Sequence, residues 1–118
     1  MQKFNFSYDK GNNDLFIYNP KSKSKGSVEF GDLIIDYSPK KEIVGIQIMN
    51  ASKFIKELAP ENNFSIKEIL DNLELCKVDI KIRNNLSIIK IYLLSKNKEI
   101  TTILSVPTII KTSPALAY

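Results

Sequence analysis

The segment from Cys76 to Arg83 alternates strictly: Cys76, Val78, Ile80 and Ile82 against Lys77, Asp79, Lys81 and Arg83. A period of two fits a strand with one buried and one wet face, and fits no helix. After Asn84-Asn85 the alternation resumes, and two Asn residues suit the primed turn of a tight hairpin. Pairing Arg83 with Leu86 then sets Ile80 opposite Ile89 and Val78 opposite Ile91. Both apolar rows coincide, and a slip of one residue would send one of them into water. A turn at Lys96-Asn97-Lys98 returns the chain along a third strand, 100–106. The C-terminal half is thus expected to be an antiparallel meander with Val78, Ile80, Ile89 and Ile91 buried together. Pro107 and Pro114 bound an extended tail, 108–118.

The N-terminal half carries the same signal with aromatic residues. Phe4, Phe6 and Tyr8 alternate with Lys3, Asn5 and Ser7. Asp9-Lys10-Gly11-Asn12-Asn13 is turn chemistry, and Asp14–Tyr18 reads as the return strand. A polar loop, Lys21–Gly26, leads to a short strand at Val28–Phe30. Leu33, Ile35 and Tyr37 share one face of the next strand, and Val44, Ile46 and Ile48 one face of its partner. Pro39 suits the first central position of the intervening turn. Pairing Ile35 with Val44 aligns the apolar rows and leaves Asp36, Gly45 and Gln47 on the other face. A glycine inside a strand marks a bulge or a close approach.

Between the meanders lie two short helix signals. Asn50 is placed to cap a helix over Ala51–Leu58 with Phe54, Ile55 and Leu58 inward, and Pro60 stops it. Ser65 and Glu68 form an S-x-x-E capping box, with Phe64 and Ile69 as a hydrophobic staple, for a helix running to about Leu73. The expected fold class is α+β: predominantly antiparallel β meanders with one or two short helices between them. The 118 residues suit a single domain. Residues 1–58 form the first meander and helix, and 59–118 add a helix and a three-stranded extension.

Tyr8-Asp9, Asp14 with Tyr18, Ile35-Asp36-Tyr37, and Ile43-Val44-Gly45-Ile46-Gln47-Ile48 closing on Ala51-Ser52 together resemble the YuzE-like family of unknown function. The resemblance covers roughly residues 4–55, and the V-G-I…A-S segment is its most specific part. The second half is only vaguely similar to the extra C-terminal region of longer archaeal members. The resemblance marks Tyr8, Asp9, Asp14, Tyr18, Asp36, Gly45, Gln47 and Ser52 as motif positions. Gln47 departs from the pattern, which usually carries Glu there. The family has no established activity; some members are similar to the antitoxin halves of toxin–antitoxin pairs.

The chain has no His, which removes the commonest base near neutral pH and the commonest metal ligand. Cys76 sits on the apolar row and no His stands anywhere to activate it, so an inert core thiol is expected. Ser52 lies in the first turn of a helix outside any nucleophile elbow, where backbone capping is the expected role. Asp9, Asp14 and Asp36 miss the calcium-loop template, and Asp in a turn usually bonds its own backbone. No catalytic residue, cofactor or metal is therefore expected, and a hydrolase or metal enzyme is the least favoured class.

The net charge is +4, with 17 basic residues of which only Arg83 is Arg. Arg is the preferred reader of guanine edges and phosphate forks. Lys77, Lys81, Arg83 and Lys90 with Tyr92 could track a nucleic-acid backbone, but a solvated outer face is the expected reading. Lys21, Lys23 and Lys25 read as a solvated loop. A single Cys suits a reducing compartment, and no apolar run reaches membrane length, so a cytoplasmic protein is expected. The last strands carry apolar residues on both faces, and the tail adds Ile109, Ile110, Ala115, Leu116 and Ala117. The leading expectation is a non-enzymatic module that self-associates, most simply as a dimer, with room for another protein partner. A nucleic-acid-associated or antitoxin-like regulator is the alternative.

Overall fold

The computed structural model describes residues 1–60 and 65–108. Its strands are β1 (Gln2–Asp9), β2 (Asp14–Tyr18), β3 (Gly26–Phe30), β4 (Leu33–Tyr37), β5 (Ile43–Ile48), β6 (Leu75–Arg83), β7 (Leu86–Ser95) and β8 (Lys98–Pro107). Helices α1 (Ala51–Leu58) and α2 (Ile66–Asp71) join β5 to β6. All eight strands lie in one sheet, ordered β3-β4-β5-β2-β1-β6-β7-β8, antiparallel throughout and curved into a half-barrel. The second meander is as expected. The first half differs: it is a β1–β2 hairpin and a β3–β5 meander, with β5 laid against β2. Period-two alternation fixes which face a strand buries and leaves open which strand it pairs with across a long connection.

Strand β1 joins the two halves without being paired on both sides at once. Gln2–Phe4 pair with β6, whereas Asn5–Asp9 pair with β2. The sheet therefore splays at the Phe4–Asn5 junction. Its concave side gathers Phe4, Leu15, Ile17, Ile35, Ile46, Val78, Ile89, Ile91 and Leu93 into one core. The helices close this core with Ala51, Ile55, Ile66, Ile69 and Leu70. Helix α1 packs against β8 and α2 against β7.

The β6–β7 register is the expected one: Arg83 faces Leu86, Ile80 faces Ile89 and Val78 faces Ile91. Val78, Ile89 and Ile91 are buried, but Ile80 is only partly so and Ile82 is 65 % exposed. The inward row fades because Ile80 and Ile82 wall an open cleft at the hairpin end. Asn84 takes a positive φ of 55°, and Lys96 and Asn97 take 45° and 66° in the two-residue loop before β8. Asn and Lys accept that conformation there because the primed loops follow the twist of the strands they join.

In the β4–β5 hairpin Ile35 faces Ile46, not Val44. The ladder shifts between Asp36 and Tyr37, so that Asp36 faces Gly45 and Tyr37 faces Ile43, leaving Val44 as the extra residue. The bulge thus falls beside Gly45. At Ile35 the shift from the expected pairing is two residues and β4 keeps its faces, whereas past the bulge Ile43 stands opposite Tyr37 and joins the core in place of Val44. Pro39 sits where the turn wants it: the Lys41 N–H donates to the Ser38 carbonyl across it.

Helix α1 has the expected bounds but not the expected cap. Asn50 is left-handed, with φ 52°, and its side chain makes no capping bond. Ala51 and Ile55 are buried and Phe54 is partly buried, but Leu58 is exposed. Helix α2 ends at Asp71, two residues short of Leu73, where the Asn72 N–H donates to the Ile69 carbonyl and the Asn72 Nδ2 to the Glu68 carbonyl. Ser65 does cap it, accepting the Glu68 N–H at 3.4 Å. Phe64 and the tail from 109 onward lie outside the described residues. Among the described residues no helix is long and apolar enough to cross a membrane.

Candidate functional site

The motif positions fall into two groups. The first surrounds Asn13, at the end of the β1–β2 hairpin. Asn13 takes a positive φ of 58°, which swings its side chain back over β1 and toward α1. Its backbone carbonyl accepts the Ala51 N–H at 2.7 Å and its Oδ1 accepts the Ser52 N–H at 3.2 Å. These are amide groups that the first turn of a helix leaves without internal partners. Asn13 therefore caps α1 from a distant hairpin, in the place expected of Asn50. Its Nδ2 donates to the Ser52 Oγ at 2.8 Å and to the Asn50 Oδ1 at 3.2 Å. The Tyr8 hydroxyl completes the cluster by donating to Asn13 Oδ1 at 2.6 Å.

Ser52 thus serves as an acceptor for Asn13 and does not cap its own helix through its hydroxyl. Asp9 and Asp14 face each other at the hairpin end. The Asn12 side chain donates to Asp9 at 2.8 Å and holds its carboxyl below the ordinary value. Burial, followed by the carboxylates of Asp71, Asp14 and Asp9, raises the Tyr8 phenol. A cleft of about 240 Å³ opens beside Tyr8, between β1 and the end of α2. Lys10 reaches Asp71 across it at 3.5 Å, in an exposed ion pair.

The second group lies on the convex face. Asp36 is only 5 % exposed. The Ser27 hydroxyl donates to its Oδ1 at 2.5 Å, and the Gln47 amide donates to Oδ2 at 3.2 Å. Gly45, directly opposite, makes room for this carboxylate. A Cβ at position 45 would stand 2.5 Å from Asp36 Oδ2. The close approach anticipated for this glycine is therefore made by its cross-strand neighbour. Tyr18 pairs with Gly45 on the next strand and leans against Phe16, with ring centroids 5.0 Å apart.

These two groups are not one site. Asp36 is aligned with Tyr18 through Gly45, at the opposite end of β2 from Asp14. The three carboxylates of Asp9, Asp14 and Asp36 thus do not converge, and among the described residues no cluster of metal-ligating side chains forms. Cys76 is fully buried, and burial pushes its thiol up to about 12. Asn13 and Ser27, central to the two groups, escape a reading of the sequence. Their partners are distant in the chain, and an Asn in a turn carries only a local signal.

The basic residues of β6 and β7 do share the convex face. The register adds Lys3 to them, opposite Lys77, and Lys77 in turn faces Tyr92. Asp79 lies opposite Lys90 within the same face. Tyr92 donates to Glu99 at 2.5 Å, which raises its phenol. A cleft of about 630 Å³ lies where the sheet splays, between the β4–β5 turn and the hairpin end of β6–β7. Phe4, Tyr37, Val44 and Ile80 form its walls, with Lys40, Glu42 and Asp79 also lining it.

Residues 5–52 match a family model described as a protein of unknown function, DUF2283. An uncharacterised protein of Methanocaldococcus jannaschii, MJ0789, is 35% identical over 100 residues, covering 83% of this chain and 80% of its own length. A Methanosarcina mazei protein with the provisional name hypoxanthine phosphoribosyltransferase is 27% identical over 85 residues, covering 72% of this chain and 68% of its own. No solved structure matches. The matched residues span both motif groups, Tyr8 to Ser52, under the DUF2283 description and not under the YuzE-like name. Residues 5–52 are thus a DUF2283 domain of unknown function, and the chain as a whole belongs to one family with the uncharacterised M. jannaschii protein.

Proposed function

We propose that this protein is a non-enzymatic interaction module that works by self-association, as a dimer in the cytoplasm. The carrying observation is the convex face of β7 and β8. Ile88, Tyr92 and Leu94 of β7 are part-exposed there, and Ile103 of β8 is 57 % exposed. Neither α1 nor α2 lies over them, because both occupy the concave side with the core. Lys90 stands among them, opposite Ile103, so the apolar side chains are interspersed with charge; covering them is most simply done by a partner, and a second copy is the commonest one. The non-enzymatic part is supported by what the motif side chains already do. Tyr8, Ser52, Asp36 and Gln47 are engaged with neighbouring protein groups.

The name of the M. mazei relative raises phosphoribosyl transfer. Against carrying it here, the α1 terminus that would offer amides to a phosphate gives its first two to Asn13. A nucleic-acid-associated or antitoxin-like role is the second reading, favoured by the alignment of Lys3, Lys77 and Tyr92 on one sheet face. Light scattering after size exclusion tests the leading proposal. A mass of twice the 13.4 kDa of one chain at about 100 μM supports it, and a single-chain mass there overturns it. Salt-dependent binding to single-stranded oligonucleotides by the monomer would favour the second reading.

A further inference from the structure

We propose that the dimer forms through the free edge of β8, which pairs antiparallel with β8 of a second copy and carries the sheet across a two-fold axis. This inference rests on the self-association reading and names its geometry. Among the described residues β3 and β8 are the two end strands of the sheet, each paired on one side only. Strand β3 is five residues long and follows Lys21, Lys23 and Lys25. A short strand beside lysines is the usual way an edge is protected from pairing. Strand β8 is ten residues long and carries no charge between Thr101 and Pro107.

The direction of its backbone groups follows from parity. The Thr108 N–H donates to the Asn85 carbonyl at 2.8 Å, extending the ladder toward β7. In an antiparallel pair the N–H and C=O of one residue point the same way, and those of the next residue point opposite. The even-numbered residues of β8 therefore bond to β7. The amides of Glu99, Thr101, Ile103 and Ser105 point to the open edge. Pro107 has the same parity and no N–H, as proline in an edge strand requires. It ends the run of outward donors.

This edge is compatible with itself. A two-fold axis at Thr102 places Glu99 opposite the partner's Ser105, and an axis at Ile103 places it opposite the partner's Pro107. Neither register forces like charges together. Both bring the exposed Ile103 beside the partner's residues 101 or 103, so one event covers the apolar side chain and satisfies the outward amides.

The test uses the full chain. Hydrogen exchange is followed by NMR at about 5 and about 500 μM, beside light-scattering masses for the wild type, Ile103→Pro and Ile103→Lys. Proline at 103 removes an outward N–H and no bond to β7. We expect the amides of Glu99, Thr101, Ile103 and Ser105 to exchange at least about tenfold more slowly at the higher concentration, with Thr102 and Leu104 protected at both. Both variants should have single-chain masses where the wild type has twice that. A dimer whose edge amides exchange equally at both concentrations overturns the β8 geometry and leaves self-association standing. A monomeric wild type at both concentrations overturns both proposals. Edge amides protected at both concentrations in a monomer would show the edge covered within one chain, also overturning them. If the variants fail to fold, the wild-type exchange pattern alone decides.

Discussion

Replacing Gly45 by Ala tests the closest contact on the convex face. The added methyl would stand 2.5 Å from Asp36 Oδ2 and 3.0 Å from its Cβ, so the carboxylate must move by roughly 1 Å to reach an ordinary contact. That movement pulls it from the Ser27 hydroxyl at 2.5 Å and the Gln47 amide at 3.2 Å. Bonds to a charged acceptor contribute about 1.5–3 kcal/mol each, and Asp36 is too buried for water to replace them freely. Against this, Gly→Ala stabilises by about 0.4–1 kcal/mol through the unfolded chain. With partial loss of both bonds, a net destabilisation of about 2–3 kcal/mol follows. In urea, with a slope of about 1–3 kcal/mol/M, the midpoint should fall by about 0.7–3 M. The same substitution in an Asp36→Ala background should be neutral within about 0.5 kcal/mol, because the obstructing carboxylate is gone. An equal cost in both backgrounds, or a cost below about 0.5 kcal/mol in the wild type, would refute the reasoning.

Asn13→Ala should cost about 1–3 kcal/mol and fray α1 first, seen as faster exchange at Ala51 and Ser52, whereas Asn50→Ala should leave those amides unchanged. Ile91→Ala should cost about 2–5 kcal/mol in urea melts and Ile80→Ala clearly less, because Ile80 borders the cleft; equal costs would contradict the fading of the inward row. Ser65→Ala should cost about 1 kcal/mol through its cap on α2, and an unchanged melt would show the 3.4 Å bond to be without weight. The Cys76 thiol, raised in the fold from 9.0 to about 12, stabilises the native state fully below pH 9 and loses that contribution as pH rises toward 12, since the unfolded thiol ionises first. Urea melts should therefore weaken across that window, and Cys76→Ala should remove that part of the slope.

The elements closed by short turns were legible in the sequence. Arg83 opposite Leu86 followed from a two-residue turn and two alternating runs, and the same logic located β8. The β4–β5 pairing shows the limit of that logic. Alternation fixes register only modulo two, so Ile35 lies opposite Ile46 instead of Val44 with no change of face, and the single extra residue at Val44 then sets Ile43 opposite Tyr37. The pairing of β2 with β5 and the divided pairing of β1 carry no local signal at all. Each is decided by which apolar edge remains open once the hairpins have closed. The same holds for Asn13. Its turn-forming side is visible in Gly11-Asn12-Asn13, but its bonds to α1 exist only after β5 has been laid beside β2.

The motif positions cluster where distant parts of the chain meet. Tyr8, Asp14 and Ser52 belong to three different elements, and the Asn13 network joins the hairpin end to the helix that follows β5. Asp36, Gly45 and Gln47 lock β4 against β5 beside the bulge. Both groups therefore sit where a non-local pairing must be specified. Position 47 is decisive in this argument. A Glu there, as the resemblance leads one to expect, would set a second carboxylate against the buried Asp36, and such a pair favours holding a proton between them. Gln47 keeps the geometry and supplies a donor in place of the second charge. Here the convex-face cluster is a hydrogen-bond network in which the Ser27 hydroxyl and the Gln47 amide both donate to Asp36. The proposed self-association therefore draws on the other half of the sheet, through the edge of β8.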